Sequence, residues 1–369
     1  MIILSAILKS KDKTDEILVA QVSEIILSKD VARRLQSNEL AQAALLEIAD
    51  FCGNFDVLVS VAGVTQSDAI KDFAVEILMK NGGFERAVAE IDTLVDTLDS
   101  DKWLLNSADL KILQQCFNWI MQAEKPVLTK KVYGLLSRQL QSDTDPENRV
   151  TLLLLLARVF QIVQDCQVTD KEIVSSLFKP SLKWKKGRSE EAARSASAAA
   201  LWSYTKLFTD FTELEEILLP EIVSLLDDDL SQTRLIACKV VEEMINQAGD
   251  KLTLDGFYHK IYIDLAKRLD DTDGRVRVTS LQAWRSLFKV FVKKDDYDVE
   301  SLYSAHWEWI FEKLLVHMDD PDESFRTLVF EGLSEASEIS KKILSAELDK
   351  VRNKHKNQDL CEQLEKLLI

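Results

Sequence analysis

Asp143 stands six residues before Arg149, Asp228 before Arg234, Asp271 before Arg277 and Asp320 before Arg326. A carboxylate and a guanidinium form charge-assisted hydrogen bonds, often two in parallel, because the planar fork of arginine matches the acid. Arg194 ends a similar stretch that lacks the acid. The chemistry expected is structural: a ladder over Asp143, Arg149, Arg194, Asp228, Arg234, Asp271, Arg277, Asp320 and Arg326, in which each acid accepts from an arginine or a backbone N–H nearby. Removing one partner of a nearly buried pair costs on the order of 3 kcal/mol.

Other acids in these stretches exceed what a ladder needs. Asp227, Asp229, Asp270, Asp273, Asp319, Asp322 and Glu323 form an acidic ridge if the stretches stack, and such a ridge selects a basic partner surface. The opposite charge gathers at Lys183, Trp184, Lys185, Lys186 and Arg188, a basic turn with an aromatic in its middle that suits an acidic protein. Asp271, Asp273 and Gly274 do not make a calcium loop, because Leu269 and Ser280 fill the first and twelfth ligand positions. The chain has no GxxxxGK[ST], GxSxG or HExxH and only four histidines, so no catalytic, cofactor or metal residue is nominated.

The elements that position these residues are helices. Ile261, Leu265 and Leu269 lie four apart on one face, followed by the turn residues Asp270, Asp271, Asp273 and Gly274. Leu281, Trp284, Leu287, Phe288 and Phe291 then mark a second helix whose apolar face packs on the first. From Arg149 to Arg326 the five arginines are 45, 40, 43 and 49 residues apart, the interval of helical hairpins that bury their second face by stacking. The expected fold is all-α, an α-solenoid of HEAT-type helical hairpins. Residues 1–126 read as degenerate repeats, 127–339 as regular repeats and 340–369 as capping helices, in one continuous array.

Along the chain, helices are expected over 2–8, 17–27 and 40–51, and opening on an apolar helix reads as the cut edge of a longer solenoid. Trp103 and Trp119 are expected in the core, and Leu152 to Leu156 on a helix covered on several sides. Pro180 and Pro220 mark heads or bends of first helices, and residues 293–306 a charged connection. Trp307 and Trp309 fill core and groove, and His317 ends a helix.

A net charge of −16 argues against nucleic acid as the partner. The five cysteines form no CxxC pair and read as reduced thiols; no apolar run spans a bilayer and no basic leader precedes the opening segment, so a cytoplasmic protein is expected.

The last third carries a closer likeness. LAKRLDD at Leu265–Asp271 with Val276 and Arg277, LLVHMDDP at Leu314–Pro321, and His355, Lys356 and Cys361–Leu364 resemble the C-terminal half of the HEAT-repeat dynein axonemal assembly factors, with Met318 where leucine is expected. The detailed match runs from Ile261 to Leu364. The resemblance implies a non-enzymatic, cytoplasmic factor for preassembly of axonemal dynein arms in motile cilia and flagella, with dynein heavy and intermediate chains and chaperones as partners. Alternatives are a generic adaptor of the transport or phosphatase-scaffold type, or a tubulin-binding array, whose turns the Trp184 stretch resembles.

Overall fold

The computed structural model describes residues 38–369 except 55–56, 59–60, 62–64, 66, 81–90, 99–102, 124, 210, 252–257 and 293–302. The helices expected over 2–8 and 17–27 and most of the 293–306 connection lie outside the described residues. The fold is all-α, an α-solenoid of HEAT-type hairpins. It divides into two compact units, Met1–Thr169 and Asp170–Ile369. That division falls inside the stretch read as regular repeats.

In the first unit the described helices are α1 (Glu39–Cys52), α2 (Asp68–Lys80), α3 (Ile91–Asp96), α4 (Ser107–Gln122), α5 (Lys130–Gln139) and α6 (Pro146–Val159). Local chemistry sets their ends. Asn38 caps α1 from its side chain, and Gly53 closes it at φ 63°, a left-handed conformation glycine adopts without Cβ strain. Asn106 and Asp109 form a reciprocal capping box on α4. Asp145 caps α6 ahead of Pro146, whose missing N–H falls where no helical bond is due. Among the described residues the departure from helix is a parallel strand pair of two residues each, β1 (Val127–Leu128) and β2 (Asp165–Cys166).

Two expectations here are overturned. Trp119 is buried, but Trp103 is 59% exposed, because it lies in a short turn before α4 and donates its indole N–H to the Asp143 carbonyl at 2.8 Å. On α6, Leu152, Leu153 and Leu156 are buried while Leu154 is 50% exposed. A leucine run does not ensure cover on every side; the neighbours of α6 take one face only.

The second unit stacks hairpins. The first comprises α7 (Asp170–Ile173), a π-turn at Val174–Phe178, α8 (Lys179–Leu182) and then α9 (Arg188–Tyr204). The π-turn precedes Pro180 and accommodates a ring that would clash in a regular helix. Next come α10 (Thr212–Leu226), with Pro220 inside it, and α11 (Ser231–Ala248), then α12 (His259–Lys267) with α13 (Gly274–Val292). The last pairs are α14 (Ser304–Val316) with α15 (Glu323–Ala336), and α16 (Lys341–Val351) with α17 (Gln358–Leu368).

Second helices α9, α11, α13, α15 and α17 pack successively on one another, forming one layer, while first helices form the other. Ile261, Leu265, Leu269, Trp284, Phe288 and Trp307 are all essentially buried, and Trp309 is partly so. Buried serines tie the layers: Ser280 Oγ donates to the Leu265 carbonyl at 2.7 Å, and Ser197 Oγ to that of Phe178 at 3.0 Å. Each takes the place three residues after a ladder arginine, where a small donor reaches the end of its own hairpin's first helix.

Candidate functional site

The turns joining first to second helices line one edge of the second unit, and the aspartates and arginines there bond by a repeated pattern. Arg194 Nε donates to Asp228 Oδ2 at 2.8 Å. Arg234 reaches Asp271 with two parallel bonds, Nε to Oδ2 at 2.6 Å and Nη2 to Oδ1 at 2.8 Å, and Arg277 donates to Asp320. Every rung thus joins an arginine to the acid of the following turn. Within a turn, the six-residue spacing serves a different bond: Arg234 Nη1 donates to the backbone carbonyl of Asp228 at 2.8 Å, and Arg326 Nη1 to that of Asp320 at 2.6 Å.

The second carboxylate oxygen shapes its own turn. Asp228, Asp271 and Asp320 each accept the backbone N–H two residues on, from Leu230, Asp273 and Asp322 at 2.9, 3.0 and 2.9 Å. One acid therefore folds a turn and joins two turns together. Burial opposes the charge on Asp271, but Arg234, the Asp273 amide and Arg268 more than offset it and hold its carboxyl below the usual range.

Asp143 does not take part in this pattern. Its side chain is exposed, and the acid that folds its turn is the buried Asp145, which accepts the Asn148 N–H at 2.8 Å. The six-residue interval to Arg149 is a coincidence of spacing; the Asp145–Pro146 pair was the better signal, as an N-cap followed by an N1 proline. Arg149 itself is fully buried. Spacing also missed a buried pair in the first unit, Lys71 of α2 with Asp109 of α4.

The acidic ridge is narrower than composition implies. Asp273 accepts its own Arg275 N–H at 3.0 Å and its guanidinium at 2.7 Å, and Asp322 caps α15 through the Ser324 and Phe325 N–H groups. Asp319 docks the C-terminal hairpin, accepting from the Lys356 and Asn357 amides at 3.0 and 3.1 Å and pairing with His355 Nδ1 at 3.1 Å. Burial works against its charge, and these donors more than compensate, so its carboxyl also lies below the ordinary range. Asp322 is exposed as well, but Asp227, Asp229, Asp270 and Glu323 are the exposed acids of the ridge with no capping or latching bond among the described residues, Asp227 also accepting from Arg268 at 3.2 Å. Arg268 bridges Asp227 and Asp271, a role that no interval in the sequence marks.

At the start of the same edge, Lys183, Trp184, Lys185 and Lys186 form the turn between α8 and α9. Trp184 is 58% exposed and its ring centre lies 5.9 Å from the Arg194 guanidinium. Lys185 approaches Glu190 at 3.8 Å.

All five cysteines are thiols, and burial pushes Cys116 and Cys238 up to about 12, leaving them unionised at neutral pH. Among the described residues no helix is long and apolar enough to cross a membrane.

The hairpins and the ladder define a HEAT-type α-solenoid, a class whose stacked turns present an extended edge. No family model matches the chain. The chain is similar to dynein axonemal assembly factor 5: 28% identical over 265 residues to the Xenopus laevis protein, 29% over 236 residues to that of Mus musculus and 28% over 279 residues to that of Homo sapiens. These matches cover 68%, 61% and 71% of this chain, so the likeness extends well beyond Ile261–Leu364. They span 31%, 27% and 31% of the relatives, about a third of their length.

Among solved structures, a computationally designed armadillo repeat protein is 17% identical with a TM-score of 0.40, covering 63% of this chain and 97% of its own. An engineered protein is 16% identical with a TM-score of 0.43, covering 95% and 98%.

Proposed function

We propose that this chain is a non-enzymatic scaffold that holds axonemal dynein subunits, the heavy and intermediate chains with their chaperones, while dynein arms are put together in the cytoplasm. The observation that carries this reading is the similarity to dynein axonemal assembly factor 5 from three species. A solenoid edge supports it physically, since many moderate contacts along successive turns suit partly folded, multi-subunit clients better than one preformed pocket does. The exposed acids Asp227, Asp229 and Asp270 are the client face, and they favour a basic client surface.

The test is affinity capture with the full chain from cytoplasm of ciliating cells, read by mass spectrometry and repeated with Asp227→Lys, Asp229→Lys and Asp270→Lys combined. Dynein chains and chaperones are expected in the first capture and depleted in the second. Retention after reversal would move the client site to the helical faces. Recovery of transport or phosphatase components without any dynein chain would replace the reading by a generic adaptor.

A further inference from the structure

The basic turn holds an unspent donor. Arg194 is 1% exposed and spends Nε on Asp228 and Nη1 on the Lys185 carbonyl at 2.8 Å, but its Nη2 has no hydrogen-bond partner. In the next rung, Arg234 uses Nε, Nη1 and Nη2 on Asp271 and on the Asp228 and Asp229 carbonyls. The difference lies in the rung: Asp228 meets Arg194 through Nε alone and gives its other oxygen to the Leu230 N–H, whereas Asp271 meets Arg234 through both Nε and Nη2. Arg194's own turn, KWKKG with Gly187 at φ 126° directly before α9, brings no second acid. A buried guanidinium donor left unmade is costly, and a carboxylate is its best-matched acceptor.

The surroundings suit such an acid. Lys183, Lys186 and Arg188 are exposed and form no ion pair among the described residues. Trp184 lies against the guanidinium with most of its surface open, an aromatic anchor of the kind that dominates binding energy when a partner covers it. α9 begins here without a side-chain cap, so its first N–H groups add positive potential.

We propose that the turn Lys183–Arg188 is a docking site for an extended acidic peptide segment of a partner protein, with one partner carboxylate bonding Arg194 Nη2 once Trp184 turns aside and the flanking acids meeting Lys183, Lys186 and Arg188. The site adjoins the acidic face assigned to basic clients, since Arg194 bonds Asp228 between Asp227 and Asp229, but it takes the opposite charge and holds whether or not the client is a dynein. The same edge then grips segments of opposite charge at separate turns of one unit.

The test uses the full 369-residue chain carrying fluorotryptophan, so that its seven tryptophans report individually by fluorine NMR, with Trp184→Phe assigning the resonance. A synthetic oligoglutamate peptide, titrated at about 0.15 M salt, is expected to shift the Trp184 resonance saturably and leave the other six in place. By fluorescence anisotropy of the labelled peptide, Trp184→Ala weakens binding by about thirtyfold. The exposed pair Lys183→Gln and Lys186→Gln weakens it by about tenfold without altering the melting curve. An unmoved Trp184 resonance, or unchanged affinity in Trp184→Ala, overturns the proposal. So does an equal response to inorganic phosphate, which reduces the turn to a general anion site, or stronger binding of a single-stranded oligonucleotide.

Discussion

Asp271 holds more of the edge together than any neighbouring exposed acid, because Arg234, Arg268 and the Asp273 amide all converge on its two oxygens. Asp271→Ala leaves two cations short of an acceptor and a turn without its anchor. Unfolding in urea is expected to show a loss of about 3 kcal/mol, whereas Asp270→Ala, on an exposed carboxylate one residue away, stays within about 0.5 kcal/mol of the parent. His306 provides a second test. Burial, with His259 beside it, pushes its imidazole down to about 4, and its ring contacts the Tyr258 hydroxyl and packs 4.4 Å from the Tyr262 ring centre. Between pH 6.5 and 4 the unfolded chain binds the proton that the folded one refuses, so stability falls as pH falls through that window. For this partly exposed ring the loss from pH 7 to 5 is on the order of 1 kcal/mol, and His306→Gln should flatten the melting temperature over that range. Below it, the depressed carboxyls of Asp271 and Asp319 act in the same direction: their contribution is complete above the unfolded value and is lost as pH falls through the folded one.

At the scale of elements, the C-terminal hairpin is fastened to the preceding turn chiefly by the Asp319 carboxylate, joined by the Met318 carbonyl that accepts from Asn357 Nδ2 at 2.9 Å. α16 and α17 bury Leu344, Leu348, Cys361 and Leu364, but Leu367 stays half exposed, so apolar contact alone leaves the end weakly held. Asp319 supplies the rest by accepting from the Lys356 and Asn357 amides, with His355 beside it. Asp319→Ala should therefore raise amide hydrogen exchange across Gln358–Leu368 by about tenfold or more, while α9 and α11 exchange as before. Equal deprotection of all three helices would show that the unit opens as one body and that the bond is not a local latch. The π-turn at Val174–Phe178 shows the same economy: a proline that would break a helix is absorbed by the residues immediately before it.

For the whole molecule, a charge of −16 makes association with a basic client fast at low salt and sensitive to ionic strength. If Asp227, Asp229 and Asp270 form the client face, their reversal should lower the association rate by about tenfold near physiological salt, with the difference shrinking as salt is raised. Stopped-flow mixing with a captured basic client measures this. A change confined to the dissociation rate would place the contact in a desolvated face elsewhere. Reversal at Asp319 tests something else, since that acid belongs to the C-terminal latch and its loss disturbs the fold.

Much of this protein was determined by short-range pattern. Three- and four-residue apolar spacing specifies helices such as α12 and α13, and the recurrence of arginine near every forty-odd residues specifies hairpins that stack, because both follow from the periodicity of one helix and the area it must bury. The same pattern marked Asp228, Asp271 and Asp320 as special. It could not say which arginine each would meet: the six-residue interval points within a turn, while the carboxylate bond runs to the arginine of the preceding turn, some forty residues away, and only stacking brings those groups together. For the same reason the seven surplus acids look alike in sequence, yet packing spends Asp273, Asp319 and Asp322 on turns, caps and latches and leaves Asp227, Asp229, Asp270 and Glu323 without such a role. Exposure of Trp103 and Leu154 was hidden too, since a residue's type states its preference for burial and its neighbours in space decide whether cover exists.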